Sequence, residues 1–267
     1  MNILDTIIAT KKEEVKEAKI KRPVEALEQT EYFKRKTYSL KALLTDDTKT
    51  GIIAEFKRRS PSRGIINDRV SVETVTRAYT VGGASGLSVL TDQSFFGGSN
   101  EDISAARMNN VPILRKDFII DEYQVTEAKS IGADAILLIA ANLTPSRVKE
   151  LAIFAKETGL EILLEIHTEM ELEHICDEVD IVGVNNRDLR TFIVDINRSV
   201  ELRKMIPAGK VIISESGIND IDTINLLKAH GFKGFLIGDR FMREENPGLA
   251  FEIFVRGMVV SKRLNQI

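Results

Sequence analysis

From Gly51 onward, short runs rich in Ile, Val and Leu recur along the chain: GIIAEFK, GLSVLT, VPILRK, DAILLIA, LEILLEIH, DIVGVN, KVIISES and GFLIG, eight in all. Between them lie segments with apolar residues at helical spacing, among them VETVTRAYTVGGA, DEYQVTEAKSIGA, SRVKELAIFAKETG and NDIDTINLLKAHG. Continuous apolar strands need cover on both faces. Alternating with helices, they predict a parallel sheet packed beneath an outer helical layer. Gly132, Gly159 and Gly231 each stand between a helical segment and the next strand, where a left-handed residue ends a helix. Eight such units form either a closed barrel or an open doubly wound sheet. The count favours the barrel, and no Gly-x-Gly-x-x-Gly follows the first strand to mark a dinucleotide-binding sheet.

The first fifty residues depart from this repeat. Leu4, Ile8, Lys12 and Val15 lie about a turn apart, as do Ile3 and Ile7, so residues 3–20 read as an amphipathic helix. Pro23 interrupts it, and Ser39–Leu44 reads as another short helix. Such an extension either caps the bottom of the barrel or reaches the mouth and shapes the site there. The predicted fold class is therefore α/β, a (β/α)8 (TIM) barrel with an N-terminal helical extension of about 45 residues. Residues 1–267 are expected to form one domain, with 1–50 as the extension and 51–267 as the barrel.

Side chains alternate along a strand, so residues two apart share a face. Ile53, Glu55 and Lys57 share one, as do Leu114 and Lys116, Leu163 and Glu165, Gly183 and Asn185, and Ile213 and Glu215. Each time an apolar or small residue comes first and a polar one follows toward the C-terminal end. That is the layout of a barrel whose lower interior is packed and whose upper rim carries chemistry. The bland alternative, charges that face the helices or only close the barrel top, does not account for five strands polar in one direction. Buried Lys and Glu are costly unless paired, so Glu55, Lys57, Lys116 and Glu165 are expected to cluster with perturbed pKa values.

SESGIND puts Ser216 and Gly217 between the seventh strand and its helix, and GFLIGDRF puts Gly238 and Asp239 after the eighth. Small residues let backbone N–H groups approach an anion, and the last two βα turns of such barrels commonly hold phosphate. The loop KRRSPSRG, residues 57–64, adds three arginines directly after the first strand. It reads as a lid over an anionic substrate.

Composition narrows the field. A net charge of only −3 argues against general nucleic-acid binding. The longest apolar run, Ala135–Ala141, is far too short to cross a bilayer, and the first residues lack a signal-peptide pattern. Cys176 is the one cysteine, so no internal disulfide forms and a reducing cytoplasm is the expected location. It has no evident partner base and sits in a stretch read as polar and helical. His167, His174 and His230 show no metal-ligand grouping, so no metal is expected and the three read as surface groups or as groups behind the site.

Taken together, AEFKRRSPSRG (54–64), LSVLTDQSFFGGS (87–99), PILRKDFIIDEYQ (112–124), LLEIH (163–167), VGVNNRDLRTF (182–192), SESGI (214–218) and FLIGDRFMR (235–243) closely resemble the indole-3-glycerol phosphate synthase family, in order through all eight strands. The resemblance implies a cofactor-free lyase of tryptophan biosynthesis. Its substrate would be the phosphorylated small molecule 1-(2-carboxyphenylamino)-1-deoxyribulose 5-phosphate, and its reaction would close the indole ring with loss of CO2 and water. It implies Lys116 as general acid for the condensation and Glu165 as acid/base for the later dehydration. Lys57 would supply a proton or hold the substrate carboxylate, and Glu55 would orient the lysines. Asn185 and Arg187 would contact the sugar and the anion, Ser60 and Phe118 would line the anthranilate pocket, and Glu215 would complete the network. Phosphate would rest on Ser216, Gly217, Gly238 and Asp239. Where the family usually carries Glu or Ser this chain has Asp239, which leaves a backbone N–H contact intact and alters any side-chain role. A monomer is expected, with a weak homodimer as the alternative. The rival readings are an isomerase of the phosphoribosylanthranilate type, which would need a Cys/Asp or Asp/Asp pair at the strand ends, and a non-catalytic phospholigand-binding barrel.

Overall fold

Eight apolar runs become eight parallel strands: β1 (Ile52–Phe56), β2 (Gly86–Leu90), β3 (Ile113–Lys116), β4 (Ala135–Ile139), β5 (Glu161–Ile166), β6 (Ile181–Asn185), β7 (Val211–Glu215) and β8 (Gly234–Ile237). In the computed structural model, which describes residues 3–189 and 191–264, each strand pairs with its sequence neighbours and β8 closes on β1. The chain thus forms a closed (β/α)8 barrel.

Alternation divides the strand residues between two cores. Ile53, Leu114, Ala135, Leu137, Leu163, Ile181, Ile213 and Leu236 point inward and fill the lower barrel. Ile52, Ala54, Leu87, Ile136, Leu164 and Val182 point outward beneath the helices. Both sets leave water almost completely, and at roughly 25 cal/mol per Å² of apolar surface this burial is the main force closing the barrel.

The extension holds four helices, α1 (Ile3–Lys21), α2 (Val24–Glu28), α3 (Glu31–Lys34) and α4 (Leu40–Thr45). Ser39 is the cap of α4, accepting from the Ala42 N–H at 3.0 Å, rather than its first residue. Leu40 and Leu44 of α4 pack into the inner core from below. Gly86 and Gly234 make room for them, since a Cβ at either position would stand 2.6 Å from Leu40 Cδ1 or 2.8 Å from Leu44 Cδ2. α1 lies at the other end. Its buried residues are Ile7, Lys11 and Val15, so the inward face carries Lys11, and the Lys12 of the expected stripe is exposed. The extension therefore does both things foreseen as alternatives: α4 plugs the bottom and α1 reaches the mouth.

The outer layer contains α5 (Val72–Val81), α6 (Gln93–Phe96), α7 (Asn100–Ala106), α8 (Glu122–Ile131), α9 (Pro145–Thr158), α10 (Asn197–Arg203), α11 (Ile221–Ala229), α12 (Asp239–Met242) and α13 (Pro247–Leu264). Gly132 and Gly159 end α8 and α9 at φ 103° and 80°, and Gly231 has φ 85° one residue past the cap of α11. After β5 the chain makes only a 3-10 turn, Glu169–His174. Cys176 follows this turn in irregular chain leading to the bottom of β6, not in a helix as its polar surroundings suggest. The stretch still packs Leu172, Ile175 and Cys176 against the core, but from a 3-10 turn and irregular chain rather than from an α-helix.

Candidate active site

The C-terminal ends of the strands surround one cavity, lined from β1 by Glu55 and Lys57, from β3 by Lys116, from β5 by Glu165, from β6 by Asn185 and from β7 by Glu215. Barrel closure brings these side chains together although up to 160 positions separate them. Every residue expected at the site from the sequence lines this cavity: Ser60, Phe118, Arg187, Ser216, Gly217, Gly238 and Asp239 join the six above.

Two ion clusters share the space. In the centre, Lys116 Nζ lies 3.0 Å from Glu165 Oε2 and 3.4 Å from Glu215 Oε2. At the rim, Lys57 Nζ lies 2.9 Å from Glu55 Oε1 and 2.7 Å from Asp239 Oδ1. Arg63 Nε and Arg187 Nη2 each approach Asp239 Oδ2 at 3.3 Å. Burial alone would strip Lys116 of its charge, but Glu165, Glu215 and Glu55 outweigh it and push its pKa up. Lys57 behaves alike: burial opposes its charge, and Glu55 and Asp239 overcome that.

The two central carboxyls separate. Burial opposes ionisation of Glu165, yet Lys116 and His167 hold it well below the usual carboxylate range. Burial pushes Glu215 up to about 8, against the pull of Lys116, and the charge on Glu165 adds to the shift. Glu215 is thus the protonated member at neutral pH and Glu165 the ionised one. Two like groups side by side, driven apart in this way, can divide acid and base roles.

Glycines shape this packing. A Cβ at Gly183 would sit 2.2 Å from Glu215 Oε1, and one at Gly238 would sit 2.4 Å from Glu55 Oε1. Gly238 is therefore required by the buried Glu55 beneath it as well as by any close approach of a ligand. In the turn after β7, Ser216 and Gly217 adopt φ 67° and 78°, and the Gly217 face is closed by Val194. The Asp239 carboxylate, an acceptor only, already faces three cations.

The 57–64 loop carries its arginines differently from the expected lid. Arg58 pairs with Asp102 at 2.5 Å, and Arg59 donates to the Gln93 and Ser94 carbonyls, so both tie the loop to the β2 turn. Arg63 alone of the three turns to the cavity rim. Ser60 lies buried in the small hairpin that follows, 3.4 Å from Ser62 Oγ.

Sequence reasoning foresaw that the extension could reach the mouth but not which residues of α1 would do so. Ile3, Leu4 and Ile7 line the cavity. Lys11 Nζ reaches Asp92 and Asp117, both at 3.0 Å. Asp92 caps α6, accepting from Phe95 and Phe96 N–H at 2.7 and 3.2 Å, and Asp117 precedes Phe118. The buried lysine thereby fixes the two turns that set Phe96 against Phe118, with ring centroids 6.1 Å apart. A lysine inside an apolar stripe was the available signal, but the stripe was read one residue out of phase. Leu189 and Phe192 also line the cavity; both lie in the 182–192 motif, but neither was singled out from the sequence. Cys176 is not among the lining residues, so the Cys/Asp pair of the isomerase reading is not assembled there.

A closed (β/α)8 barrel that gathers lysines and carboxylates at the C-terminal ends of its strands has the layout of a barrel enzyme. The sequence profile of indole-3-glycerol phosphate synthase matches residues 4–253. The chain belongs to the indole-3-glycerol phosphate synthase family. It is 47% identical to the indole-3-glycerol phosphate synthase of Bacteroides thetaiotaomicron, over 96% of this chain and 99% of that one. It is 41% identical to that of Chromobacterium violaceum, over 93% and 96%. Solved structures similar in fold include 3-hexulose-6-phosphate synthase from Salmonella typhimurium (TM-score 0.62, 12% identity, 79% of this chain and 99% of that one). A tryptophan synthase complex from Pyrococcus furiosus gives a TM-score of 0.60 at 15% identity, over 79% and 98%. These two show the barrel alone. Among the described residues no helix is long and apolar enough to cross a membrane.

Proposed function

We propose that the cavity closes the indole ring of 1-(2-carboxyphenylamino)-1-deoxyribulose 5-phosphate, leaving indole-3-glycerol phosphate, CO2 and water. The observation that carries this reading is Lys116 Nζ, held charged between Glu165 at 3.0 Å and Glu215 at 3.4 Å in the barrel mouth. Attack of the aromatic carbon on the ketone needs a proton at the carbonyl oxygen, and Lys116 supplies it. The carboxylate then leaves as CO2, and its electron pair restores the aromatic ring. Dehydration follows: an acid protonates the departing hydroxyl, and a base takes a proton from the ring methylene beside the nitrogen, which keeps its own N–H in the indole. Glu165 serves this stage, with Glu215 completing the hydrogen-bond network beside it.

Lys57 is the second cation. It delivers the dehydration proton or holds the substrate carboxylate, and Glu55 orients it at 2.9 Å. Asn185 and Arg187 meet the sugar and the anion; Asn185 Oδ1 accepts from the Arg187 backbone N–H at 2.9 Å, which ties their positions together. Ser60 and Phe118 line the aromatic pocket. Phosphate sits on Ser216, Gly217, Gly238 and the Asp239 backbone, with Arg187 and Arg63 adding charge. All these residues come from one chain, so a monomer is catalytically sufficient. The single reduced cysteine suits a cytoplasmic enzyme.

The test is direct. Purified protein incubated with the carboxyphenylamino-deoxyribulose phosphate develops indole fluorescence as product forms. Folded protein that binds the substrate but yields no indole sinks the reading in favour of a non-catalytic phospholigand barrel.

A further inference from the structure

His167 stands just past β5, two residues from Glu165, and is 6% exposed. Its Nε2 lies 3.3 Å from Glu165 Oε1, the oxygen that Lys116 does not hold. Its Nδ1 lies 3.6 Å from Glu171 Oε2. Glu171 is anchored in place, because the same oxygen accepts the backbone N–H of His167 at 2.5 Å and of Thr168 at 3.2 Å. Its side chain is 14% exposed, so it reaches the surface. Neither His167 nor Glu171 lines the mouth cavity. The three groups therefore form a line leading from the back of Glu165 to solvent, on a side the substrate does not occupy.

The proposed reaction makes such a line necessary. Two protons go to the carbonyl oxygen, which leaves as water, and one proton returns from the methylene carbon beside the nitrogen. The substrate carboxylate departs as neutral CO2. Each turnover therefore takes up one proton from solvent, while the bound substrate fills the mouth. Lys116 and Glu165, both buried, must be resupplied by another path.

We propose that His167 is a positioning and proton-supplying residue for Glu165, joining it to solvent through Glu171. The step balances simply. Neither ring nitrogen is aligned for a hydrogen bond as it stands, so Nε2–H passes its proton to Glu165 Oε1, and Nδ1 takes a replacement from the Glu171 side, each after a small side-chain rotation or through one water. This rests on the reading of Glu165 as the acid/base of the dehydration. The charged groups facing His167 are Glu165 on its own strand, Glu171 in the 3-10 turn and Glu215 from β7, with Lys116 of β3 beyond Glu165. His174, in the same turn, is engaged elsewhere, its ring nitrogens meeting the Glu171 and Leu143 carbonyls. Burial works against a charge on His167, but Glu171 and Glu165 outweigh it, so the imidazolium persists above its usual range.

The experiment compares wild type with His167→Asn and Glu171→Gln, following kcat and KM against pH, with and without imidazole in the buffer. His167→Asn is expected to lower kcat on the order of 10-fold with little change in KM. The alkaline limb of kcat, where the imidazolium loses its proton, is expected to vanish, and added imidazole to restore part of the rate. Glu171→Gln keeps an acceptor for the two backbone N–H groups and is expected to lower kcat less. Because burial also pushes Glu215 up, Glu215→Gln is compared as well, and its kcat profile retains the limb set by His167. Loss of rate with an unchanged pH profile and no response to imidazole would show a merely structural histidine and overturn the relay. So would wild-type kcat in His167→Asn. Wild type that makes no indole at all overturns the ring-closure reading, and the relay with it.

Discussion

Two buried charge clusters lie at opposite ends of the barrel, and they are built on different terms. At the bottom, Asp134 is fully buried, and each of its oxygens has two donors. Oδ1 accepts from Arg35 Nη2 at 2.6 Å and Tyr38 N at 2.8 Å, and Oδ2 accepts from Arg107 Nη1 at 2.5 Å and Ile113 N at 2.8 Å. At the mouth, Glu55, Glu165 and Glu215 surround Lys57 and Lys116, and Glu215 Oε1 finds no hydrogen-bond donor among the described residues. At the bottom both oxygens of Asp134 are satisfied, and they hold the extension against the barrel. The mouth cluster is left with a carboxyl that must keep its proton. A buried network that is complete can only be broken, whereas an incomplete one can exchange protons.

The largest expected effect is at the mouth. Lys116→Met lowers kcat by about 10²–10⁴-fold, the range of a lost general acid, while the protein still folds. Indole fluorescence and circular dichroism together check this, and unchanged turnover would remove Lys116 from the mechanism. At the bottom the same kind of change moves stability instead. Asp134→Ala leaves the buried Arg107 and the half-buried Arg35 without a counter-charge and costs about 3–5 kcal/mol in urea unfolding. The molecules that remain folded keep their kcat. A loss of kcat larger than the loss of folded protein would erase the contrast between the two ends.

The pH dependence of stability sharpens the comparison further. Glu215 titrates near 8 in the folded protein and near the ordinary 4.5 when unfolded. Between those values the native state binds the extra proton, so this group makes stability fall as pH rises through the window. Glu165 has the opposite sign: its depressed pKa contributes stability above 4.5 that is lost as pH falls toward 2. Urea unfolding from pH 5 to 9 is expected to show a shallower decline in Glu215→Gln than in wild type. An equal decline would mean that Glu215 is ionised throughout.

The smallest effect belongs to the rim. Asp239→Ser frees Lys57, Arg63 and Arg187 from a competing carboxylate, and KM for the phosphorylated substrate is expected to fall about threefold, in line with partly solvated ion pairs. A rise in KM would instead make the carboxylate part of the binding site.

Much of this was legible from local pattern. Strand alternation is a property of consecutive residues, so Glu55, Lys116, Glu165 and Glu215 could be assigned to one inner face before any strand had a neighbour. The turns after the seventh and eighth strands were marked by their small residues for the same reason. Lys11 was missed because a helix of 3.6 residues per turn tolerates a phase error of one, and only contact with Asp92 and Asp117 decides which lysine faces inward. Asp134 carried no local signal, since its partners Arg35 and Arg107 come from distant parts of the chain. His167 could be placed behind the site or on the surface, but not between two carboxylates.

By itself, then, the sequence determined the barrel, the inward faces of its strands and the chemical types at its mouth. Those follow from residue spacing within single elements. The tertiary structure alone decided which charges meet, which carboxyl keeps its proton and which end each helix of the extension covers. Those depend on distances across a closed sheet, where Coulomb energy and desolvation act between residues that the chain holds far apart.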